Sequence, residues 1–409
     1  MTDPSASDRR AAWLALGSAL LVAAFGVLPA MLAGTMAVPI QRDLGVSTAV
    51  FGAAVSAFYL TVSASAVTAG RLVERWGWRR SVRTTAALSA AGLAGIALLA
   101  RSVVVFVACL AVGALGQALA GPASNTAVLR EMPSHRQGLL FGIKQVSIPV
   151  ATMIAGLSVP LFATIGWRWA FLVFALVPLA VAMWPRGRSG PGGDPVGSGR
   201  RGATVGARRP VAAPLRMPRL VLLTLAVGLA SVANISLSTF LVASSVDAGL
   251  TEATAGWIVV AGSLVGLVVR VVAGWGVDRR PRQLFAVVGI MNLGGVIGMA
   301  LLATGRQEVI LLGAVLGFGS GWGWSGVFHY GVVRHHPHAP AGATGVVMVG
   351  LAGGAAMGPL LSGAIIDSWS YAAAWWTAAG LLAVSSALFL RSAAVFGVPA
   401  APSATPLIP

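Results

Sequence analysis

The 409-residue sequence predicts an all-α polytopic membrane protein, with twelve transmembrane helices in two six-helix bundles related by a pseudo-two-fold axis along the membrane normal. Three observations predict it. The chain is 57% hydrophobic and 10% charged, with a mean hydropathy of +0.85, whereas soluble domains stay near about 45–50% apolar. Apolar runs such as Trp13–Leu32 and Leu220–Val242 reach the ~20 residues that cross a bilayer as a helix. Several short stretches also recur in the same order 204 positions later, so the second half repeats the first.

The apolar runs place spans 1 to 6 at 12–33, 48–69, 82–100, 103–128, 140–163 and 169–184. Spans 7 to 12 fall at 220–243, 255–275, 284–303, 308–332, 344–366 and 372–390. Span 1 follows MTDPSASDRR with no small-residue cleavage site, so it reads as retained. The organisation is then a cytoplasmic N-terminus (1–11), a bundle (12–184), a basic cytoplasmic linker (185–218), a second bundle (219–391) and a disordered cytoplasmic tail (392–409). The linker is rich in Gly, Pro and Arg, holds one acid, Asp194, and lacks an apolar period.

A net charge of +17 would suggest nucleic acid in a soluble protein. Here the basic residues sit between apolar runs and instead set topology. With the N-terminus inside, Arg42, Arg101, Arg168 and Arg306 are outside and Arg270 lies within a span. The other Lys and Arg residues of the 28 lie at or beside the cytoplasmic face. Both termini are therefore expected in the cytoplasm, at the plasma (inner) membrane, with the lipid bilayer as partner and no nucleic acid. The single cysteine, Cys109, excludes an intramolecular disulfide.

The repeat carries Gly70, Glu74 and Arg75 onto Gly274, Asp278 and Arg279. It carries Asp43, Gly45 and Ser47 onto Asp247, Gly249 and Thr251, and Gly52 onto Gly256. It also carries Arg130 and Pro133 onto Arg334 and Pro337, and Gly138 onto Gly342. Parallel repeats of six helices are built to rock against one another about a central site.

These residues resemble the major facilitator superfamily of secondary transporters. The loop signature of that family, Gly-x-Leu-x-Asp-Arg-x-Gly-Arg-Arg/Lys, looks like Gly70, Leu72, Glu74, Arg75, Gly77, Arg79 and Arg80, between spans 2 and 3, with Glu74 in place of the usual Asp and Trp78 in place of a usual polar or basic residue. Gly142-Ile-Lys144-Gln145 and Gly166-Trp-Arg-Trp169-Ala-Phe171 are similar to the bacterial cyanate-permease-like branch. The chain departs from the family's drug/proton antiporters in three places. Cys109 stands where they carry an arginine in helix 4, span 5 lacks their Gly-rich run ending in Gly-Pro, and a Gly-Pro, Gly358-Pro359, occurs in span 11 instead. These departures weigh against a proton-driven drug exporter.

The resemblance implies alternating access with a cytoplasmic gate. Glu74 would face the start of span 11, near Gly342–Gly345, where a helix N-terminus attracts a carboxylate by ~0.3–1 kcal/mol. Gly70 and Gly274 would let helices approach closely. Arg75, Arg79 and Arg80 would hold Glu74 or bridge the halves. Asp278 and Arg279 would act likewise at the start of span 5.

Ionisable groups within a span are functional candidates. Arg270 could grip an anion through its guanidinium fork or bond backbone carbonyls. Lys144 could attract an anion or snorkel. His329 could carry a proton. Polar faces at helical spacing add Gln117 with Gly121 and Ser124, Asn234 with Ser231 and Ser238, and Trp322 with Ser325 and His329. Tyr59 and the pair Trp322 and Trp324 could clamp a planar solute. Gly317, Gly319, Gly321 and Gly323 make span 10 bendable.

No nucleophile–base pair, paired carboxylates, cofactor motif or Walker loop is present, so neither catalytic residues, a cofactor nor ATP-driven transport is expected. The loop histidines His335, His336 and His338 read as solvated, and no metal is expected. A membrane-embedded enzyme and a receptor on a transporter fold are the lesser readings. The leading one is a secondary transporter, acting as a monomer on a small solute, with a proton as candidate co-substrate. The cationic, carboxylate-free cavity leans to a small organic or inorganic anion. The alternative is export of an apolar, drug-like compound.

Overall fold

In the computed structural model, residues 6–131, 145–183, 217–279, 283–336 and 339–396 are described. They are helices joined by short turns, with no strand among them. Span 1 is the helix Ala6–Thr35, and a 69° bend leads from it into the short helix Ala37–Leu44. Spans 2 to 6 are Thr48–Trp76, Trp78–Leu99, Val103–Glu131, Ser147–Phe162 and Trp167–Met183. Spans 7 to 9 are Met217–Asp247, Glu252–Arg279 and Leu284–Ala303. Span 10 is broken into Gln307–Leu316, a π-helical turn at Gly317–Gly321, and Ser325–His335. Spans 11 and 12 are Pro340–Ser368 and Tyr371–Phe396. Among the described residues nine helices are long and apolar enough to cross a bilayer, ten if the bent pair is one span. Spans 5 and 6 are shorter apolar helices over their described lengths.

Helices suit this environment because lipid offers no partner to an open backbone N–H or C=O. The ends are fixed locally. Gly45 (φ 64°) and Gly249 (φ 94°) take the left-handed turn that ends a helix, at equivalent places in the repeat. Ser47 and Thr251 then cap the next helix, their hydroxyls accepting from the N–H of Val50 (3.4 Å) and Thr254 (3.1 Å). The repeated Asp-x-Gly-x-Ser/Thr stretch is thus a helix stop followed by a helix start.

Three boundaries differ from the sequence expectation. Gly70–Arg80 is not an extended loop: helix runs through Trp76 and resumes at Trp78, with Gly77 alone between them. Gly77 has φ 77° and ψ 161°, a conformation essentially reserved for glycine, and this reverses the chain without a loop. The span 12 helix continues past residue 391 to Phe396, because Ser392 bonds back to the Leu388 carbonyl and Phe396 packs on Phe285 at 5.2 Å. Span 1 begins at Ala6 rather than 12. Of the expected linker, 185–218, residues 185–216 lie outside the described residues, as does the end of the tail, 397–409, while 217 and 218 already belong to the span 7 helix.

The buried core is continuous across both halves. Small residues let helices meet backbone to backbone across the seam between them. A Cβ on Gly52 (span 2) would collide with the Pro359 carbonyl (span 11), and one on Gly256 (span 8) would lie 2.7 Å from the Gly156 carbonyl (span 5). The repeat-related glycines therefore make repeat-related contacts. Large apolar side chains such as Leu60, Val67, Trp257, Trp275 and Ile290 face outward, as a lipid-facing surface requires.

Candidate functional site

The break in span 10 organises the site. Its glycines pack against neighbouring backbones: a Cβ on Gly321 would lie 3.1 Å from the Gly295 Cα, and one on Gly317 would lie 2.8 Å from Leu237. The π turn and the irregular residues after it free backbone carbonyls from the helical ladder. In a membrane such groups need new partners. Trp324 supplies one, its indole N–H donating to the Gly321 carbonyl. Arg270 supplies the other, donating through one Nη to the Trp322 carbonyl at 3.1 Å. Its second Nη donates to the carbonyl of Gln145, in the turn just before span 5, at 3.3 Å, which joins the two halves. The guanidinium also lies 5.7 Å from the Trp322 ring centroid, a cation–π distance. Arg270 is 8% exposed.

His329 follows one turn on. Its Nδ1 lies 2.7 Å from the Ser325 carbonyl, which can only accept, so Nδ1 carries the proton. The Gln145 amide stands 3.5 Å from that same nitrogen, and with Nδ1 protonated its oxygen, not its NH2, belongs on that side. Gln145, Arg270, Trp322, Ser325 and His329 thus form one chain of contacts between spans 5, 8 and 10. A small cavity adjoins it, with room for about one water-sized particle; Thr152, Ser263 and Arg270 are its polar lining, and Ile148, Pro149, Gly266, Phe318 and Trp322 the rest.

Asn234 comes near this cluster, its Oδ1 3.6 Å from where a Gly321 Cβ would be. Gln117 and Tyr59 stand elsewhere in the first half. Gln117 presses its amide oxygen against Gly26, and Tyr59 packs edge-on to Phe58 at 5.2 Å. Tyr59 Oη, Gln117 Oε1, both amide atoms of Asn234 and Ser325 Oγ are buried without a hydrogen-bond partner. Trp322 and Trp324 do not form a clamp. Trp324 is 1% exposed, edge-on to Phe328, while Trp322 stacks on Phe318. Ser231 and Ser238 bond carbonyls, Ser231 across to Leu351 at 2.8 Å. Lys144 lies outside the described residues.

The sequence-predicted gate residues gather at the ends of spans 2 and 8. Glu74 and Arg75 are exposed in the last turn of span 2, and Glu74 makes no ion pair among the described residues. Arg79 and Arg80 lie over Trp78 and Trp76, at 5.2 and 5.4 Å from the ring centroids. Gly70 and Gly274 have no atom within 4 Å of a Cβ position, so the close approach expected there is not made in this state, and Gly345 is equally open. Asp278 and Arg279 close the span 8 helix, and their side chains lie outside the description.

The opposite end of the seam is knit together. Asp367, at the end of span 11, accepts from the N–H groups of Thr48 (3.1 Å) and Ala49 (2.8 Å), the first turn of span 2. With Ser47 serving Val50, the unpaired N–H groups of that helix start are met, two of them from the other half. Arg42 pairs with Glu252 across the halves at 3.1 Å, and Arg168 pairs with Asp43 at 2.6 Å. Sequence reading gives Arg42 a role only in topology and Gln145 only a place in a motif, and it does not single out Ser263 or Glu252. The repeat offers the one signal for the last, because it sets Glu252 opposite Thr48 at a helix start.

Two repeat-related helical bundles, joined at one end of a seam with a polar cluster between them, define a membrane carrier. The chain belongs to the Major Facilitator Superfamily, whose family model matches residues 14–339. It is 31% identical over 360 residues to a chloramphenicol resistance protein of Streptomyces lividans, which spans 84% of this chain and 86% of that one. Its fold is similar to solved structures of a bacterial homolog of the human lysosomal transporter Spinster. These are inward-facing, one occupied and one unoccupied; for each the TM-score is 0.67 and the identity 15%, covering 96% of this chain and 97% of the other. The chain is therefore a multi-pass membrane transporter of a small molecule, not an enzyme. None of these relatives is described as a cyanate permease.

Proposed function

We propose that the protein exports neutral, amphipathic small molecules with a planar or apolar body and several hydrogen-bonding groups. The observation that carries this reading is the commitment of Arg270. Its two terminal nitrogens serve backbone carbonyls and its face rests on Trp322, so no guanidinium fork is left for an organic anion. The polar atoms left without partners on Tyr59, Gln117, Asn234 and Ser325 are all neutral. Buried groups of this kind are stabilised by a ligand that completes their hydrogen bonds. The 31% identical chloramphenicol resistance protein supports the same class, against the departures at Cys109 and in span 5.

Transport would run by alternating access in the plasma membrane, with both termini inside. The seam joined at Asp367 and open at Glu74 and Gly345 then corresponds to an inward-open state. Glu74, Arg75, Arg79, Arg80, Asp278 and Arg279 act when the cytoplasmic end closes. His329 is the group best placed to couple a proton. The anion reading requires Arg270 to leave both carbonyls.

Chloramphenicol accumulation in a sensitive bacterium producing the protein tests this. Lower accumulation is expected. Asn234→Ala should raise the apparent KM several-fold, as losing a hydrogen bond of about 0.5–1.5 kcal/mol implies. Unchanged accumulation of chloramphenicol and other neutral amphipaths, with saturable flux of a small anion lost in Arg270→Lys, would reverse the assignment.

A further inference from the structure

The polar groups at the cavity between spans 5, 8 and 10 are unbalanced. Arg270 is 8% exposed and has no ion pair among the described residues. Its Nε–H has no partner. Ser263, 1% exposed and two turns before it on span 8, also has an unpartnered hydroxyl, although a helical serine can bond back to its own helix. Both residues line the same cavity. Thr152 on the facing wall spends its proton on the Ile148 carbonyl (3.0 Å) or the Met31 sulfur (3.3 Å). The surroundings thus present one fixed positive charge and two unused donors, with no carboxylate among the lining residues. The remaining walls, Ile148, Pro149, Gly266, Phe318 and Trp322, are apolar or aromatic. An uncompensated charge at membrane depth is costly, and such groups pair with an opposite charge where one is within reach.

We propose that this cavity binds a small monovalent inorganic anion, of which chloride is the type, between Arg270 and Ser263 as a resident counter-ion rather than as cargo. The cavity has room for about one water-sized particle, which rules out an organic solute and leaves a single small ion as the candidate. The ion accepts from Arg270 Nε–H and Ser263 Oγ–H and neutralises the guanidinium that holds the Gln145 and Trp322 carbonyls. Because Thr152 comes from the first half and Ser263 and Arg270 from the second, rocking of the halves takes the cavity apart. Bound anion therefore stabilises the state seen here. The site stands whichever solute the protein carries.

Thermal unfolding of the purified full chain tests it, with chloride replacing gluconate at constant ionic strength. A saturable rise in Tm with chloride is expected. Ser263→Ala, which keeps the charge, should need about tenfold more chloride for the half-maximal rise, the size of one hydrogen bond to a charged group. Arg270→Gln should lose the response. Bromide in place of chloride should give an anomalous scattering peak between Arg270 and Ser263 in a crystal. Equal Tm in chloride and gluconate would overturn the proposal, as would an unchanged half-maximal concentration in Ser263→Ala. In either case the cavity holds water.

Discussion

The seam between the two halves has two ends, built differently. At one end backbone meets backbone: Gly52 lies on Pro359, Gly363 on Thr48, and Gly256 on Gly156, with Asp367 closing a helix start across the join. At the other end Gly70, Gly274 and Gly345 face open space, and the exposed charges of Glu74 and Arg75 stand in place of dry contacts. The first kind of contact depends on shape and tolerates no added atom. The second depends on charges that remain solvated when apart. A joint of charges separates at little cost, so the end expected at the cytoplasm is suited to open and close under weak bias.

The largest effect should come from filling the tight end. Gly52→Leu forces a side chain into the Pro359 carbonyl, and overpacking of this kind costs about 1–3 kcal/mol. The seam should open there, seen as faster labelling of a cysteine near Thr48 and as lost transport. Normal labelling and flux would mean that this contact does not set the state. Asp367→Asn should act more weakly. It removes a carboxylate from a helix N-terminus, a loss of about 0.3–1 kcal/mol, up to ~2 if partly buried, and should raise the same labelling severalfold at most. Glu252→Gln should do least. Its pair with Arg42 joins side chains that are 27% and 70% exposed, and exposed pairs contribute about 0–1 kcal/mol, fading with salt. An effect of Glu252→Gln that exceeds Asp367→Asn at high salt would invert this ranking.

The sequence carried the helix ends of the tight region. Asp-x-Gly-x-Ser/Thr appears twice, and each copy folds as a glycine stop and a hydroxyl cap, because both signals act within a few residues. The glycines of span 10 likewise marked the π turn. What escaped depends on partners distant in the chain. Asp367 looks like any polar residue at a helix end until span 2 lies beside it. Gln145 matters through its carbonyl, which every residue has, so its identity gives no hint. Trp322 and Trp324 look equivalent as neighbours, yet the break between two helical pieces sends one to the cavity and the other into the core. The ends of the apolar runs left Gly70–Arg80 between spans 2 and 3, as a connection of about eleven residues. Only the backbone of Gly77 shows that one residue makes the turn.

Distances measured at both ends of one helix pair test alternating access most directly. Cys109→Ser removes the one native cysteine, so spin labels can be placed at will. One pair, Val50→Cys with Trp369→Cys, reports the tight end; the other, Arg71→Cys with Gly342→Cys, reports the charged end, all at exposed positions. In lipid, with chloramphenicol and with Glu74→Ala as perturbations, the account predicts opposite movements. The charged end shortens as the tight end lengthens, and Glu74→Ala shifts the population towards a long distance at the charged end. Distances that stay fixed at both ends, or that lengthen and shorten together, would contradict it.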